Sequence, residues 1–290
     1  MKPESSPPAG DQTTWIVTNE VYNQQSKHLQ LDNYNQYADS SYDFSVLDNS
    51  SVKSIFITAT PSPFYILRIE GSIDLRIPPI YGNRSTIVNE SKRITESIFT
   101  QFGYHTYSVC LPKKLIAVHC GLASYGNNGL TYIKDFGSYF RLTMFASDYE
   151  CSNKSVWNDI SLMKSCRKCG KCIQICPVAA LEKGSAWVNT NKCITRYNEQ
   201  LGDFPEWINE SYHNSLVGCS KCQEICPQNY KKAEEIIMPV SNEIINQIMY
   251  VNSYNELNEK TKELLTELSL DRYFHVLKRN IMILKEKAKC

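Results

Sequence analysis

Four cysteines lie in the stretch Cys166-Arg-Lys-Cys169-Gly-Lys-Cys172-Ile-Gln-Ile-Cys176-Pro177. The spacing Cys-x2-Cys-x2-Cys-x3-Cys-Pro is typical of a chain that wraps round one [4Fe–4S] cluster with three cysteines and reaches a second cluster with the fourth. The proline after the fourth cysteine fixes φ and helps to turn the chain away. The stretch therefore predicts an iron–sulfur region with two clusters.

A second group, Cys219-x2-Cys222-x3-Cys226-Pro227, repeats the end of this pattern but lacks its first cysteine. Cys193 lies upstream and is the obvious substitute. Reciprocal sharing of the kind found in bacterial ferredoxins then uses all eight ligands. Cluster A receives Cys166, Cys169, Cys172 and Cys226, and cluster B receives Cys176, Cys193, Cys219 and Cys222.

Structural zinc is the alternative for these cysteines, because Cys-x2-Cys pairs also hold zinc. Four cysteines within eleven residues and two Cys-Pro endings favour the clusters. Apolar residues among the ligands are expected to exclude water from them: Ile173, Ile175, Val178 and Ile225. The other cysteines have no partner pattern, and buried free thiols are expected at the first three: Cys110, Cys120, Cys151 and Cys290.

The composition of the 290 residues is that of an ordinary globular protein, with 42% hydrophobic and 21% charged residues. Lys and Arg number 31 against 30 Asp and Glu, so the total charge gives no reason to bind nucleic acid or membranes, although a local basic patch would not show in it. The polar N-terminus lacks the apolar core of a secretory signal, and no apolar run of about 18 residues occurs. We therefore expect a cytoplasmic protein with no membrane association.

The hydrophobic pattern divides the chain into four parts. Residues 1–50 are polar and are expected to be mobile or irregular. Residues 51–160 are predicted to form an α/β domain for a cofactor or substrate, and residues 161–235 the double [4Fe–4S] ferredoxin-like domain. Residues 236–290 are predicted to be C-terminal helices.

Periodicity predicts the main elements of these parts. Apolar runs predict strands over 54–60, 64–70 and 139–145. Apolar residues at a spacing of four, followed by Gly103, predict a helix over 89–102. Segments rich in Glu, Lys and Leu predict helices over 255–270 and 273–287.

The segment Leu111-Pro-Lys-Lys-Leu-Ile-Ala-Val-His-Cys-Gly-Leu-Ala-Ser-Tyr-Gly-Asn-Asn-Gly-Leu130 resembles the corrinoid-binding segment of the epoxyqueuosine reductases and the reductive dehalogenases. Gly137-Ser-Tyr-Phe-Arg-Leu142, the eight cysteines and Leu277-Lys-Arg-Asn280 extend this resemblance over about residues 90–285. The chain is most similar to an epoxyqueuosine reductase-like protein without the C-terminal helical-repeat domain. The resemblance implies an α/β corrinoid-binding domain joined to a two-[4Fe–4S] ferredoxin-like module with C-terminal helices, and cobalamin as a cofactor.

The resemblance also implies that the corrinoid is bound base-off, with no protein side chain on cobalt. None of the five histidines lies in the Asp-x-His-x-x-Gly pattern of proteins that ligate cobalt by histidine. The ring would be lined mostly by backbone, since glycines allow close approach to a flat ligand. The implied residues are Gly121, Leu122, Tyr125, Asn128, Gly129, Ser138 and Tyr139. The alternative is that the glycines belong to ordinary turns.

Epoxyqueuosine reductases carry an aspartate as proton donor just before this segment, whereas residues 104–114 contain no acidic residue. The candidates for a proton donor are therefore tyrosines: Tyr104, Tyr107 and Tyr125. Lys113 or Lys114 could lower the pKa of a tyrosine.

The resembled reductases usually continue into a helical-repeat domain that helps to hold tRNA, whereas this chain stops at Cys290. That difference argues against tRNA as a partner, and the missing export signal argues against respiratory dehalogenation. One predicted function is a cobalamin-dependent reductase, in which electrons pass from two clusters to cobalt and then to a small molecule or modified nucleoside. The alternatives are a non-catalytic corrinoid-handling protein and a two-cluster electron carrier. The expected electron donor is a ferredoxin or flavodoxin.

Overall fold

The computed structural model describes residues 42–71, 73–134, 136–151, 157–160, 162–230 and 233–288, and the backbone of 13–18. Its strands are β1 (Thr13–Thr18), β2 (Ser54–Pro61), β3 (Phe64–Ile69), β4 (Asp74–Ile77), β5 (Thr106–Ser108), β6 (Ser124–Tyr125), β7 (Thr131–Tyr132), β8 (Phe140–Ser147) and β9 (Glu235–Val240). Its helices are α1 (Arg84–Gln101), α2 (Lys113–His119), α3 (Cys166–Cys169), α4 (Lys171–Ile175), α5 (Ile194–Glu199), α6 (Lys221–Glu224), α7 (Asn242–Tyr250), α8 (Glu259–Glu267) and α9 (Phe274–Lys287).

The first sheet has the strand order β1-β2-β8-β5, and all its pairs are antiparallel. Strand β2 is apolar on both faces because both are covered. On one face the ring of Phe56 lies 4.3 Å from that of Phe99 on α1. On the other, Ile55 and Ile57 share a core with Ile116 of α2. The predicted strands over 54–60 and 139–145 are confirmed.

The second sheet has the order β4-β3-β9, with β3 and β9 parallel. Its core joins residues that are far apart in the chain, because Leu67 of β3 packs in one cluster with Ile245 of α7 and Leu277 of α9. The chain therefore returns from the cysteine region to complete the sheet and core of its first half. The four-part division of the sequence stays a prediction, and the contacts of β9 cross two of its boundaries.

Helix α1 begins at Arg84, five residues before the predicted start, and ends just before Gly103, whose φ of +78° suits the expected stop. The early start is held by tertiary contacts, because the Ser85 N–H donates to Ser269 Oγ at 3.0 Å. The predicted terminal helices form as α8 and α9. Asn258 caps α8, with its Oδ1 accepting from Thr261 N at 2.9 Å.

Residues 13–18 of the segment predicted to be mobile or irregular instead form β1, which pairs with the open edge of β2. Residues 42–50 contain one 3-10 turn, Ser45–Asp48. The remainder of 1–50 lies outside the described residues. Among the helices that the structure describes, none combines the length and the apolar character needed to cross a membrane.

Candidate functional site: two cysteine sets and the cavity beside them

Four cysteine side chains border one small cavity next to the turn at residues 126–129. They are Cys166, Cys169, Cys172 and Cys226. Three belong to α3 and α4, and the fourth follows α6 in the second cysteine group. This is the set that reciprocal sharing assigns to cluster A.

The other four cysteines border a second and much larger cavity of about 770 Å³. They are Cys176, Cys193, Cys219 and Cys222. This is the set assigned to cluster B. None of the described cysteines forms a disulfide with another described cysteine.

The local sequence explains how the ligands converge. Gly170, at φ +70°, lies between α3 and α4 and allows the chain to reverse between Cys169 and Cys172. Cys176 ends this run, and its Sγ accepts the Ala180 N–H at 3.4 Å. Hydrogen bonds to sulfur of this kind are one of the means by which a protein sets a cluster potential.

Burial of the thiols has a consequence for loading. Desolvation raises the pKa of Cys172 and of Cys219 to about 11, and neighbouring thiols add to the effect. These side chains are therefore protonated at neutral pH when they hold no metal. Because iron binds the thiolate, loading of the site must release protons.

The turn at residues 126–129 connects the two cysteine sets. Asn127 Nδ2 donates to the carbonyl oxygen of Cys166, at 3.3 Å. Asn128 Nδ2 donates to the carbonyl oxygen of Cys222, at 3.1 Å, and to Tyr132 Oη, at 2.8 Å. The glycine-rich segment therefore holds a ligand loop of each cluster in place.

The buried side-chain amide of Asn229 links the second cysteine group to the segment before β8. Asn229 Oδ1 accepts the Ser138 N–H at 2.8 Å. Asn229 Nδ2 donates to Ser138 Oγ at 2.8 Å and to the Gln223 carbonyl oxygen at 2.7 Å. These bonds hold the loop after Cys226 against the segment that leads into β8.

The residues implied as ring-lining are divided by the structure. Asn128, Gly129 and Ser138 line the large cavity. The other four do not line it: Leu122, Tyr125 and Tyr139 are buried and Gly121 is exposed. Leu122 and Tyr125 face the core under the first sheet because α2 turns them inward.

The three candidate tyrosines also lie away from the large cavity. The ring of Tyr104 is 5.0 Å from that of Tyr149, and Tyr107 lies in β5. Tyr125 is buried in the core beside Trp187. Lys113 and Lys114, which the sequence suggested as their partners, do line the cavity.

The cavity wall carries an excess of positive charge that the total charge of the chain conceals. Its acidic side chain is Glu199, and its basic side chains are Arg84, Lys113, Lys114, Arg141, Arg196 and Lys221. Lys114 Nζ donates to the Gly129 carbonyl oxygen at 3.3 Å, and burial lowers the pKa of this lysine. Such a wall favours an anionic ligand.

Glu199 was missed by the sequence analysis because nothing near it in the chain signals a site. It ends α5, six residues after Cys193, and burial raises its pKa. The Tyr81 hydroxyl donates to Glu199 Oε1, and both side chains line the cavity. The cavity therefore contains a carboxyl group with a raised pKa near cluster B.

The Leu277-Lys-Arg-Asn280 motif, which is part of the resemblance to epoxyqueuosine reductases, positions this carboxyl group. Arg279 donates to the carbonyl oxygens of Tyr197 and Gln200, each at 2.9 Å. Asn280 Nδ2 donates to the Asn198 carbonyl oxygen, also at 2.9 Å. These bonds hold the end of α5, and with it Glu199, against α9.

Gly218, directly before Cys219, is expected to tolerate no side chain. Its φ is +69°, and a Cβ there would lie 2.6 Å from Tyr81 Cζ. We expect Gly218→Ala to destabilise the protein by about 3 kcal/mol through backbone strain and overpacking, measured by anaerobic urea unfolding. Gly184→Ala is the matched control, because Gly184 has φ +80° and nothing within 4 Å, and it should cost only about 1 kcal/mol. Equal losses in the two variants would contradict the contact with Tyr81.

Two apolar residues expected to shield the clusters are instead exposed. Ile175 and Ile225 each show 42% of their surface to solvent. Ile175 ends α4 and Ile225 directly follows α6, and these two short helices pack side by side. The prediction that these two isoleucines exclude water from the clusters is therefore wrong.

Residues 165–229 match the sequence family described as a 4Fe-4S double cluster binding domain. This match and the two cysteine-lined cavities define the class of the protein, an iron–sulfur protein with two [4Fe–4S] clusters. The predicted cluster cofactors are confirmed.

The resemblance to epoxyqueuosine reductases is confirmed as well. The chain is 31% identical to the epoxyqueuosine reductase of Atelocyanobacterium thalassa over 43% of its own length and 40% of that protein. It is 30% identical to that of Bacillus anthracis over 41% of its length and 30% of that protein. The matches thus span less than half of these relatives. In fold, epoxyqueuosine reductase from Streptococcus thermophilus has a TM-score of 0.69 at 20% identity, over 95% of this chain and 77% of that one. The predicted fold class, an α/β domain with a ferredoxin-like module and C-terminal helices, is confirmed.

The expectation that tRNA is not a partner is wrong. A protein of this fold, an epoxyqueuosine reductase, was solved with a tRNA-Tyr epoxyqueuosine-modified tRNA stem loop. That structure has a TM-score of 0.66 at 18% identity and covers 93% of this chain and 76% of that one. The expectation had been drawn from the point at which the chain ends, which says nothing about what the fold can bind.

Proposed function

We propose that this chain is a cobalamin-dependent iron–sulfur reductase that acts on a modified nucleoside of tRNA in the cytoplasm. The observation that carries the proposal is the large cavity, because all four cluster B cysteines lie in its wall. A reducible ligand in this cavity would be close to the cluster that supplies electrons. The similarity to epoxyqueuosine reductases supports the substrate class.

The wall of the cavity contains part of the segment that the resemblance implies as corrinoid-binding. At Gly129, φ is +68° and a Cβ would lie 2.6 Å from Val188 Cγ2, so glycine is needed where the turn packs against Val188 in this wall. No histidine occurs among the described residues that line the cavity, in keeping with a corrinoid bound base-off. Asn128, Gly129 and Ser138 would hold the ring. A bound cobalamin would supply a cobalt centre that accepts electrons singly and passes them to the substrate.

The basic wall fits the phosphate groups of an RNA substrate. Lys113 and Arg84 lie on the same cavity as Lys114. Burial lowers the pKa of Lys113, and repulsion by Arg84 adds to the effect. An anion that binds between such groups relieves their repulsion, so the gain in electrostatic free energy is larger than at an isolated lysine.

Reduction of a carbon–oxygen bond consumes two electrons and two protons. The clusters supply the electrons one at a time, and the protons must come from groups on the cavity wall. Glu199 is suited to this role because its raised pKa keeps a proton available nearer to neutral pH, and Tyr81 orients it. We propose Glu199, rather than Tyr104, Tyr107 or Tyr125, as the proton donor.

We expect Glu199→Gln to lower kcat by about a hundredfold, the usual effect of removing a general acid. The wild-type kcat should fall as the pH rises through the raised pKa of Glu199, because the donor loses its proton, and this limb of the profile should vanish in the variant. Iron content should stay unchanged. Glu182→Gln, at an exposed position outside the cavity, is the control and should keep the wild-type profile. An unaltered pH profile in Glu199→Gln would contradict the assignment.

The proposed function is tested by anaerobic purification with cobalamin supplied, followed by incubation with an epoxyqueuosine-containing tRNA stem loop and reduced methyl viologen. Stoichiometric cobalt beside about eight irons, and conversion to queuosine detected by mass spectrometry, are the expected results. Eight irons without cobalt after soaking would refute the corrinoid. Bound cobalt without conversion would favour a corrinoid-handling protein.

A further inference from the structure

Cluster A is the cluster that faces away from the large cavity and toward solvent. None of its four ligands lines that cavity, whereas all four ligands of cluster B do. Cys169 is exposed, and the other seven cluster cysteines are half-buried. Electrons from outside therefore have their shortest route into the protein at Cys169.

The surface around Cys169 is basic. Lys164, Arg167, Lys168 and Lys171 are all exposed, and none forms an ion pair with a described residue. No acidic residue occurs in the sequence from 164 to 181. These four cations lie within eight residues of a chain whose net charge is only +1, so they form a local patch of like charge.

The exposed isoleucines adjoin this patch. Ile175 directly precedes Cys176 and Ile225 directly precedes Cys226, so each lies beside a ligand of a different cluster. Ile175 ends α4 and Ile225 directly follows α6, and the two helices pack against each other. We call the four cations and the two isoleucines together the cluster A face.

We propose that the cluster A face docks an acidic one-electron carrier protein of the flavodoxin or ferredoxin type. Its cations complement a negatively charged partner, and its isoleucines give the contact an apolar centre. Electron-transfer complexes are small, typically burying less than about 1,200 Å² of surface, so docking of a carrier does not require a large apolar interface.

The electron balance of the docked complex is simple. A docked carrier would lose one electron to a cluster held by Cys166, Cys169, Cys172 and Cys226, and no bond would be made or broken. Two docking events supply the two electrons of one substrate reduction. The proposal rests on the two clusters and is independent of the proposed substrate.

An RNA could also bind a basic patch, but the position of the face argues against it. The substrate must reach the large cavity, whose wall has its own basic residues, and none of the four cations of the face lines that cavity. A carrier, by contrast, must approach a cluster ligand, since electron transfer weakens steeply with distance. The face therefore fits the donor of electrons rather than their final acceptor.

The test is anaerobic stopped-flow reduction of the cluster-loaded protein by flavodoxin hydroquinone, an acidic carrier, and by the methyl viologen radical cation. The variant is Lys164→Glu with Lys168→Glu, and the control, with the same change in net charge, is Lys260→Glu with Lys278→Glu on the terminal helices. We expect reduction by flavodoxin to slow at least about tenfold at low salt in the first variant, with the difference shrinking at high salt. Reduction by the viologen should not slow.

Three results would overturn the proposal. Equal flavodoxin rates in the two variants would show that the face does not dock the carrier. An equal loss with flavodoxin and with viologen, at unchanged iron content and an unchanged electron paramagnetic resonance spectrum, would show that the substitutions act on cluster reduction itself and not on docking. Weaker binding of a tRNA stem loop with unchanged flavodoxin kinetics would assign the face to RNA. None of these results bears on turnover, so the proposed function stands or falls separately.

Discussion

Replacing Cys226 with alanine is expected to remove cluster A, although this cysteine belongs to the second group in the sequence. Cys226 borders the same small cavity as Cys166, Cys169 and Cys172, so its loss leaves that cluster with three thiolates. Iron content should fall from about eight to about four per chain. Electron paramagnetic resonance of the reduced protein should show one cluster in place of two interacting ones.

Replacing Cys176 with alanine is the reciprocal change and should remove cluster B. Because the ligands of cluster B lie in the wall of the large cavity, turnover should be lost even with methyl viologen as the reductant. Cys120→Ala is the control, since this buried thiol borders neither cavity, and all eight irons should be retained. If the cluster remaining in Cys226→Ala and the cluster remaining in Cys176→Ala gave the same electron paramagnetic resonance spectrum, the assignment of four cysteines to each cluster would be wrong.

Replacing Asn229 with leucine should destabilise the protein about as much as Gly218→Ala does. Asn229 is 3% exposed and makes three hydrogen bonds to Ser138 and Gln223. A leucine of similar size leaves the Ser138 N–H and the Gln223 carbonyl oxygen buried without these partners. The expected cost is about 3 kcal/mol, measured as the shift in the free energy of unfolding in anaerobic urea titrations.

Asn209→Leu is the matched control for this change. The side chain of Asn209 accepts one hydrogen bond from the described residues, from the Ser211 N–H to Oδ1 at 2.9 Å, at an exposed turn in the same part of the chain. Its replacement should cost about 1 kcal/mol or less. A loss in Asn229→Leu no greater than in the control would show that the link between the cysteine region and β8 contributes little.

The cluster ligands could be read from the sequence because each cysteine run is local. Cys166 to Cys176 span eleven residues, and a cluster constrains the backbone over just that distance. Strands β2 and β8 could also be predicted from the sequence, since a strand that is covered on both faces has a continuous apolar run. The start of α1 was not, because a contact with Ser269, far along the chain, holds it.

The composition of the large cavity depends on segments that meet only in the folded chain. Tyr81, Lys114, and Glu199 with the cluster B thiols come from three regions of the sequence, and no periodicity connects them. The tyrosine candidates are close in sequence to the glycine-rich segment. In the folded chain, however, Tyr125 is buried in the core under the first sheet. The sequence alone thus predicts which cysteines hold the clusters, because that chemistry has a short-range spacing. The tertiary structure alone decided which charged groups surround the cavity, because packing brings them together across more than a hundred residues.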